Sequence, residues 1–217
     1  MNPIGDDRRS RFAPFVVYLL IAANLAAFVA ERRSGDVGAF IDAFATIPYD
    51  ITHGIVLAPP SPPIPALTII TAMFVHGGVL HVAVNLLFLL VFGPAIERRC
   101  GHLRFAALYL ICGIAGGIAQ VLAAANSHVP EVGASGAIAG VLGAYIVTPP
   151  VRLPAVLLIA VWAAVQFFNG FGALSAQTAN EPGGTAYFTH IGGFACGVAL
   201  IDLFRIRDAG TRAYRWY

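Results

Sequence analysis

The sequence predicts an all-α, polytopic membrane protein: six transmembrane helices in one bundle, with a long first loop. Three observations carry this. Of 217 residues, 58% are apolar and only 11% charged, whereas soluble chains carry about 25% charged residues, and the mean hydropathy is +0.77. The apolar residues are gathered into long runs separated mostly by short connections. The basic residues, all arginine, are crowded onto alternate connections.

The chain opens on a polar segment, residues 1–12, holding Arg8, Arg9 and Arg11. The first apolar run, Ala13 to Ala30, ends at Glu31. At about 1.5 Å per residue it is long enough to cross a hydrocarbon core roughly 30 Å thick. A signal peptide is disfavoured, because secretory apolar cores are about 7–15 residues long and Ala-Glu-Arg-Arg is a poor cleavage context. The run is expected to be a retained first helix.

Arg32 to Gly78 is the long loop. Phe40, Ile41, Phe44, Ile47 and Tyr49 alternate with Asp42, Thr46 and Asp50, and Pro59, Pro60, Pro62, Pro63 and Pro65 forbid a regular helix there. Its aromatics argue against a disordered linker. A loop partly sunk among lipid headgroups fits best.

Five more runs follow: Val79 to Ile96, Phe105 to Ala125, Ser135 to Val147, Leu153 to Leu174 and Ala186 to Phe204. No internal repeat or second domain is visible, so 13–204 reads as one membrane domain. Residues 205–217 form a basic tail whose Tyr214, Trp216 and Tyr217 suit the headgroup region. With six spans, Arg8, Arg9, Arg11, Arg98, Arg99, Arg104, Arg152 and the four arginines of the tail share one side, and only Arg32 and Arg33 lie on the other. Both termini are therefore expected in the cytoplasm, across a bacterial inner membrane.

This topology aligns the reactive residues. Spans two, four and six all run inward, so His81 and Asn85, Ser135 and His190 fall at one depth near the extracytoplasmic side. Intramembrane polar groups face the protein interior and mark function. Ser135 is the only serine in any of the apolar runs and sits between glycines, in Val132-Gly133-Ala134-Ser135-Gly136-Ala137-Ile138-Ala139-Gly140. Its span is short, so a water-filled hollow can lie above it. A helix start also offers unpaired N–H groups and a positive dipole end. Gly136 and Gly140 on this span, and Gly193 and Gly197 on the sixth, have the four-residue spacing that lets membrane helices pack closely. Close packing would bring Ser135 to His190. The nearest acid on that span, Asp202, is about 18 Å from His190 along the helix, so a Ser–His dyad rather than a triad is the chemistry allowed. His81 and Asn85, one turn apart, are expected to donate to a developing oxyanion.

Other polar residues read more plainly. Cys100, Cys112 and Cys196 are small buried hydrophobes. His76 and His81 do not align on one helical face and no HExxH accompanies them, so no metal is expected, nor any cofactor or nucleic acid. Asn24 and Gln120 are interhelical hydrogen-bonders, and His53, His102 and His128 are solvated loop residues.

HGGVLHVAVNLLFLLVFGPAIERRCG, the GASGA of the fourth run and the THIGGFACG of the sixth resemble the rhomboid family of intramembrane serine proteases, over about Leu67 to Phe204 and in the right order. The resemblance implies Ser135 as nucleophile and His190 as base, with His81 and Asn85 assisting at the oxyanion. His76 matches the family's upstream histidine, and Glu97 and Arg99 its Glu-x-Arg. Two features depart from it. Some members carry an aromatic four residues after the serine, stacked on the catalytic histidine, where this chain has Ala139. The Trp-Arg pair of many first loops is missing. Implied partners are the bilayer and single-span membrane proteins, cut near the extracytoplasmic end of their span. A catalytically silent, client-binding relative is the alternative. A transporter is disfavoured because no internal repeat is seen.

Overall fold

The structure, a computed structural model, describes residues 13–175 and 187–206. The segment 1–12, Ala186 and nearly all of the 205–217 tail lie outside the described residues. Among those described, the fold is all helical: no strand forms, and one antiparallel bridge pairs Thr46 with Glu131.

The helices are α1 (Phe15–Arg33), α2 (Val37–Phe44), α3 (Pro48–His53), α4 (Thr68–Ala72), α5 (Val79–Cys100), α6 (His102–Ala123), α7 (Ser135–Ile146), α8 (Leu153–Ser175) and α9 (Tyr187–Phe204), with a 3-10 turn at Pro65–Leu67. Four of them, α1, α5, α6 and α9, are long and apolar enough to cross a membrane. Their outward faces carry bare apolar side chains such as Leu19, Leu80, Leu87, Leu122 and Leu203, a surface that water would penalise and lipid does not. At 12 residues, α7 is roughly 18 Å long. It is the innermost helix, with every residue from Gly136 to Tyr145 buried by the surrounding α5, α6 and α9.

Close approach of α7 and α9 follows from their glycines. A methyl added at Gly193 would fall on the Gly136 carbonyl, and one at Gly197 on the Gly140 carbonyl. The two backbones therefore touch directly, as small residues at four-residue spacing permit.

Helix ends buried in the bundle need partners for their orphan backbone groups. Glu97 of α5 serves α1, whose own N-cap, Pro14, offers no side-chain bond. Its carboxylate accepts from the N–H groups of Val16 and Val17, each at 2.9 Å. Arg99 donates to the Thr148 carbonyl and, at 3.0 Å, to that of Pro149, just past the end of α7. The Glu-x-Arg of the sequence thus joins three helices at one end of the bundle. Gln120 of α6 performs the same service at the other end, its Oε1 accepting from the N–H groups of Phe188 (3.0 Å) and Thr189 (3.3 Å) at the start of α9.

Several expectations need correction. α1 continues past Ala30 to Arg33 because Glu31 is fully buried rather than solvated. α5 runs on to Cys100, with Pro94 inside it. α6 begins at His102, which bonds to Glu97 and is no free loop histidine. His53 ends α3 rather than lying in a loop, but it and His128 are exposed as expected, their rings against Tyr49 with centroids 3.9 and 4.0 Å away. Asn24 donates to the Leu20 carbonyl of its own helix at 2.7 Å while lying against Tyr109 of α6. The connection after α1 contains three short helices. Asp36 starts α2 by accepting from the Ala39 N–H at 3.0 Å, and the proline-rich stretch stays non-helical until Pro65.

Candidate active site

Ser135 is the first residue of α7. The segment leading to it is pinned on both sides. The Gly133 N–H donates to the Ala72 carbonyl at 2.8 Å, and Glu131 exchanges backbone hydrogen bonds with Thr46 at 2.9 and 3.0 Å. Gly133 has φ +121°, a conformation L side chains rarely adopt. A Cβ there would also stand 2.7 Å from His81 Nε2 and 3.6 Å from Asn85 Nδ2. Glycine is needed on both counts, and its contacts show that His81 and Asn85 lie directly against the backbone before Ser135.

His190 sits in the first turn of α9, buried, with Nε2 2.6 Å from Ser135 Oγ. The approach is short enough for proton transfer without rearrangement. It is made possible by the contacts of Gly193 and Gly197, about one and two turns further along α9, with Gly136 and Gly140 of α7. Asn85 is held by donating to the His81 carbonyl at 3.1 Å.

Four groups expected from the sequence, His81, Asn85, Ser135 and His190, line one cleft of about 580 Å³, with Phe88 and Trp162 among its apolar walls. Three helix beginnings converge there. An α-helix leaves its first N–H groups unpaired, so the start of α7 supplies backbone donors beside the serine. Asp202, the acid judged too distant, pairs with Arg205 at 3.1 Å.

His76 is fully buried in the segment between α4 and α5. Its N–H donates to Glu31 at 3.0 Å, its Nδ1 lies 3.2 Å from the Phe74 carbonyl and its Nε2 3.5 Å from the Ala134 N–H. Burial and the neighbouring His81 push it down to about 4, so it is neutral near pH 7. With Nδ1 as donor to Phe74, Nε2 is left to accept from Ala134. His76 therefore links the end of α1 to the residue preceding the serine.

A sequence model of the Rhomboid domain matches residues 65–207. The chain belongs to the rhomboid family. RHOMBOID-like protein 4 of Arabidopsis thaliana is 29% identical over 226 aligned positions, which cover 89% of this chain and 53% of that protein. The Rhomboid protease GluP of Bacillus subtilis (strain 168) is 45% identical over 76 residues, 35% of this chain and 14% of the relative. Inactive rhomboid protein 1 of Drosophila melanogaster is 35% identical over 78 residues, 36% of this chain and 5% of the relative. The chain matches about half the length of the plant protein and much less of the other two. Rhomboids thus include proteases and inactive members, and this rhomboid is a multi-pass, membrane-embedded helical protein.

Three groups at the site escaped sequence reasoning. Trp162 of α8 has its ring centroid 5.7 Å from that of His190, inclined at 52°. This chain has Ala139 where some family members carry an aromatic. The only signal of Trp162 was its being the sole tryptophan in the apolar runs. Glu31 looked like the polar end of a span. Glu131, four residues before the serine, carried no signal in the sequence, yet it is buried.

Proposed function

We propose that this chain is an intramembrane serine endopeptidase, with Ser135 as nucleophile and His190 as general base. The observation that carries the reading is the 2.6 Å contact between His190 Nε2 and Ser135 Oγ in a cleft shared with His81 and Asn85. As Ser135 Oγ attacks the scissile carbonyl carbon, its proton passes to His190 Nε2 and the carbonyl electrons move onto oxygen. His81, Asn85 and the Ser135 N–H stabilise that oxyanion. Collapse expels the amine, which takes the proton from His190, and leaves an acyl-Ser135 ester. Water, deprotonated by His190, then hydrolyses the ester.

The proposed topology has six spans, α7 and α8 joining the four long helices, within a membrane domain of residues 13–204. The Arg32–Gly78 loop rests at the outer interface, and residues 1–12 and 205–217 are cytoplasmic. The arginine asymmetry supports this orientation in a cell (inner) membrane. The silent, client-binding reading has the similarity to an inactive fly protein behind it, but the nucleophile and base it would lack are both present.

Trp162 takes over the support of the imidazole. An aromatic pair is worth about 0.5–1.5 kcal/mol, so Trp162→Ala should lower kcat by about 3- to 10-fold with KM little changed, and Trp162→Phe should retain most of the rate. An unchanged kcat in Trp162→Ala, or a loss confined to KM, would remove this role.

Substrates are single-span proteins cut near the extracytoplasmic end of the span. Their backbone must be extended to reach Ser135, and fraying a helix in lipid exposes N–H and C=O groups at several kcal/mol each. Gly, Pro or Ser a few residues inside the cut should lower that cost. The test is a substrate series with these positions replaced by Leu and cut sites mapped by mass. Slower cutting of the all-Leu helix is expected. Faster cutting, or cuts on the cytoplasmic side, would contradict both substrate rule and orientation.

A further inference from the structure

We propose that Glu131 is a positioning residue that, as a neutral acid, ties the start of α9 to the segment carrying Ser135, so that its ionisation slows the reaction. This rests on the proteolytic reading and adds a pH-responsive joint that the chemistry itself does not require.

Glu131 stands where four segments meet. Its backbone is bridged to Thr46 of the first loop. Its side chain accepts from the Thr189 hydroxyl at 3.3 Å and lies beside the Gln120 side chain of α6. Gln120 in turn holds the Phe188 and Thr189 N–H groups. Thr189 immediately precedes His190, and Glu131 precedes Ser135 by four residues. The triad Gln120–Glu131–Thr189 therefore connects the two sides of the Ser135–His190 contact through side chains that never touch the reacting atoms.

The surroundings decide its charge. The small pocket beside it is lined by Thr46, Ile69, Met73, Gly133 and Ser135 among others, and no other lining residue carries a charge. Of the groups facing it, α6 contributes the Gln120 amide and the first loop Thr46. α4 contributes Ile69 and Ala72, α7 contributes Ser135, and α9 contributes Thr189 with titratable His190 next in the chain. Burial pushes the Glu131 carboxyl up to about 8, against the opposing pull of the Thr189 and Gln120 side chains. At neutral pH the neutral form dominates. Above pH 8 a carboxylate appears next to the first turn of α7. There it opposes the negative charge that develops on the substrate oxygen at the same helix end, and it draws water into the joint.

Two readouts test this on the full-length protein in micelles. The first is the pH profile of kcat on a cleavable single-span substrate. The wild type should lose about tenfold between pH 7 and 9, following one titration near 8. Glu131→Gln, neutral and similar in shape, should stay within about threefold of wild type at pH 7 and lose that alkaline fall. Glu131→Ala should lower kcat at pH 7 with KM unchanged. The second readout needs no activity. A carboxyl whose folded pKa is raised stabilises the fold at low pH and loses that contribution as pH rises from its unfolded to its folded value. The thermal midpoint of Ser135→Ala protein should therefore fall from pH 5 to pH 9, and adding Glu131→Gln should flatten the fall. Parallel curves with and without Glu131→Gln, in either readout, would overturn the inference while leaving the proteolytic reading intact. Proteolysis surviving Ser135→Ala would end the proteolytic reading instead, and the thermal comparison would still report on Glu131.

Discussion

Ser135→Ala and His190→Ala are each expected to abolish cleavage of a defined single-span substrate, by on the order of 10⁴-fold or more. The double variant should be no slower than either single one. Nucleophile and base act as one unit: without the imidazole the hydroxyl keeps its proton, and without the hydroxyl the imidazole has nothing to activate. Costs of residues that work this way do not add. Asn85→Ala should be milder, roughly 10²–10³-fold, since it removes one donor from an oxyanion site that retains others. None of the three should unfold the protein, because the helices around the cleft are held by contacts elsewhere. Near-wild-type cleavage by Ser135→Ala, with purified components, would dismiss the mechanism.

Gly197→Val is the second large effect, and it acts through the fold. A Cβ at Gly197 would land on the Gly140 carbonyl, where the obstacle is backbone rather than a side chain able to turn aside. α7 and α9 would have to separate. Overpacking a core costs about 1–3 kcal/mol and occasionally more, and a rigid backbone obstacle belongs at the upper end, about 3 kcal/mol. Separation also lengthens the Ser135–His190 contact two turns away, and a misplacement near 1 Å costs about 10²-fold in rate. Thermal unfolding and kcat should therefore fall together. Gly38→Ala is the control: its added methyl would meet only the Asp36 carboxyl at 3.4 Å, and alanine is the better helix former. A Gly197→Val protein as stable and active as wild type would mean that α7 and α9 are not in backbone contact.

Much of the site was legible because its parts obey local rules. Small residues four apart announce close helix packing, and a serine among glycines at the head of a short apolar run announces an exposed helix start. The alternation of direction expected of six spans put Ser135, His190, His81 and Asn85 at one level without any knowledge of contacts. What stayed hidden depends on partners distant in sequence. Glu31 and Glu97 look like polar ends of apolar runs, and Gln120 was legible as an interhelical hydrogen-bonder but its partners were not. Their carboxylates and amide instead fill the orphan N–H groups of His76, of Val16 and Val17, and of Phe188 and Thr189. Hydropathy cannot distinguish a charge that ends a span from one buried by a neighbour, which is why α1 and α5 extend beyond the apolar runs that announced them. Trp162 reaches His190 only through the packing of α8 on α9. Ala139 exposed the missing aromatic but not its replacement.

The central claim, that Ser135 is an activated nucleophile, is tested most directly by a fluorophosphonate probe on the purified full-length protein, with the labelled peptide identified by mass. Labelling at Ser135 is predicted, absent in Ser135→Ala and strongly reduced in His190→Ala. Folded protein that stays unlabelled at Ser135, or that labels equally well without His190, would contradict it.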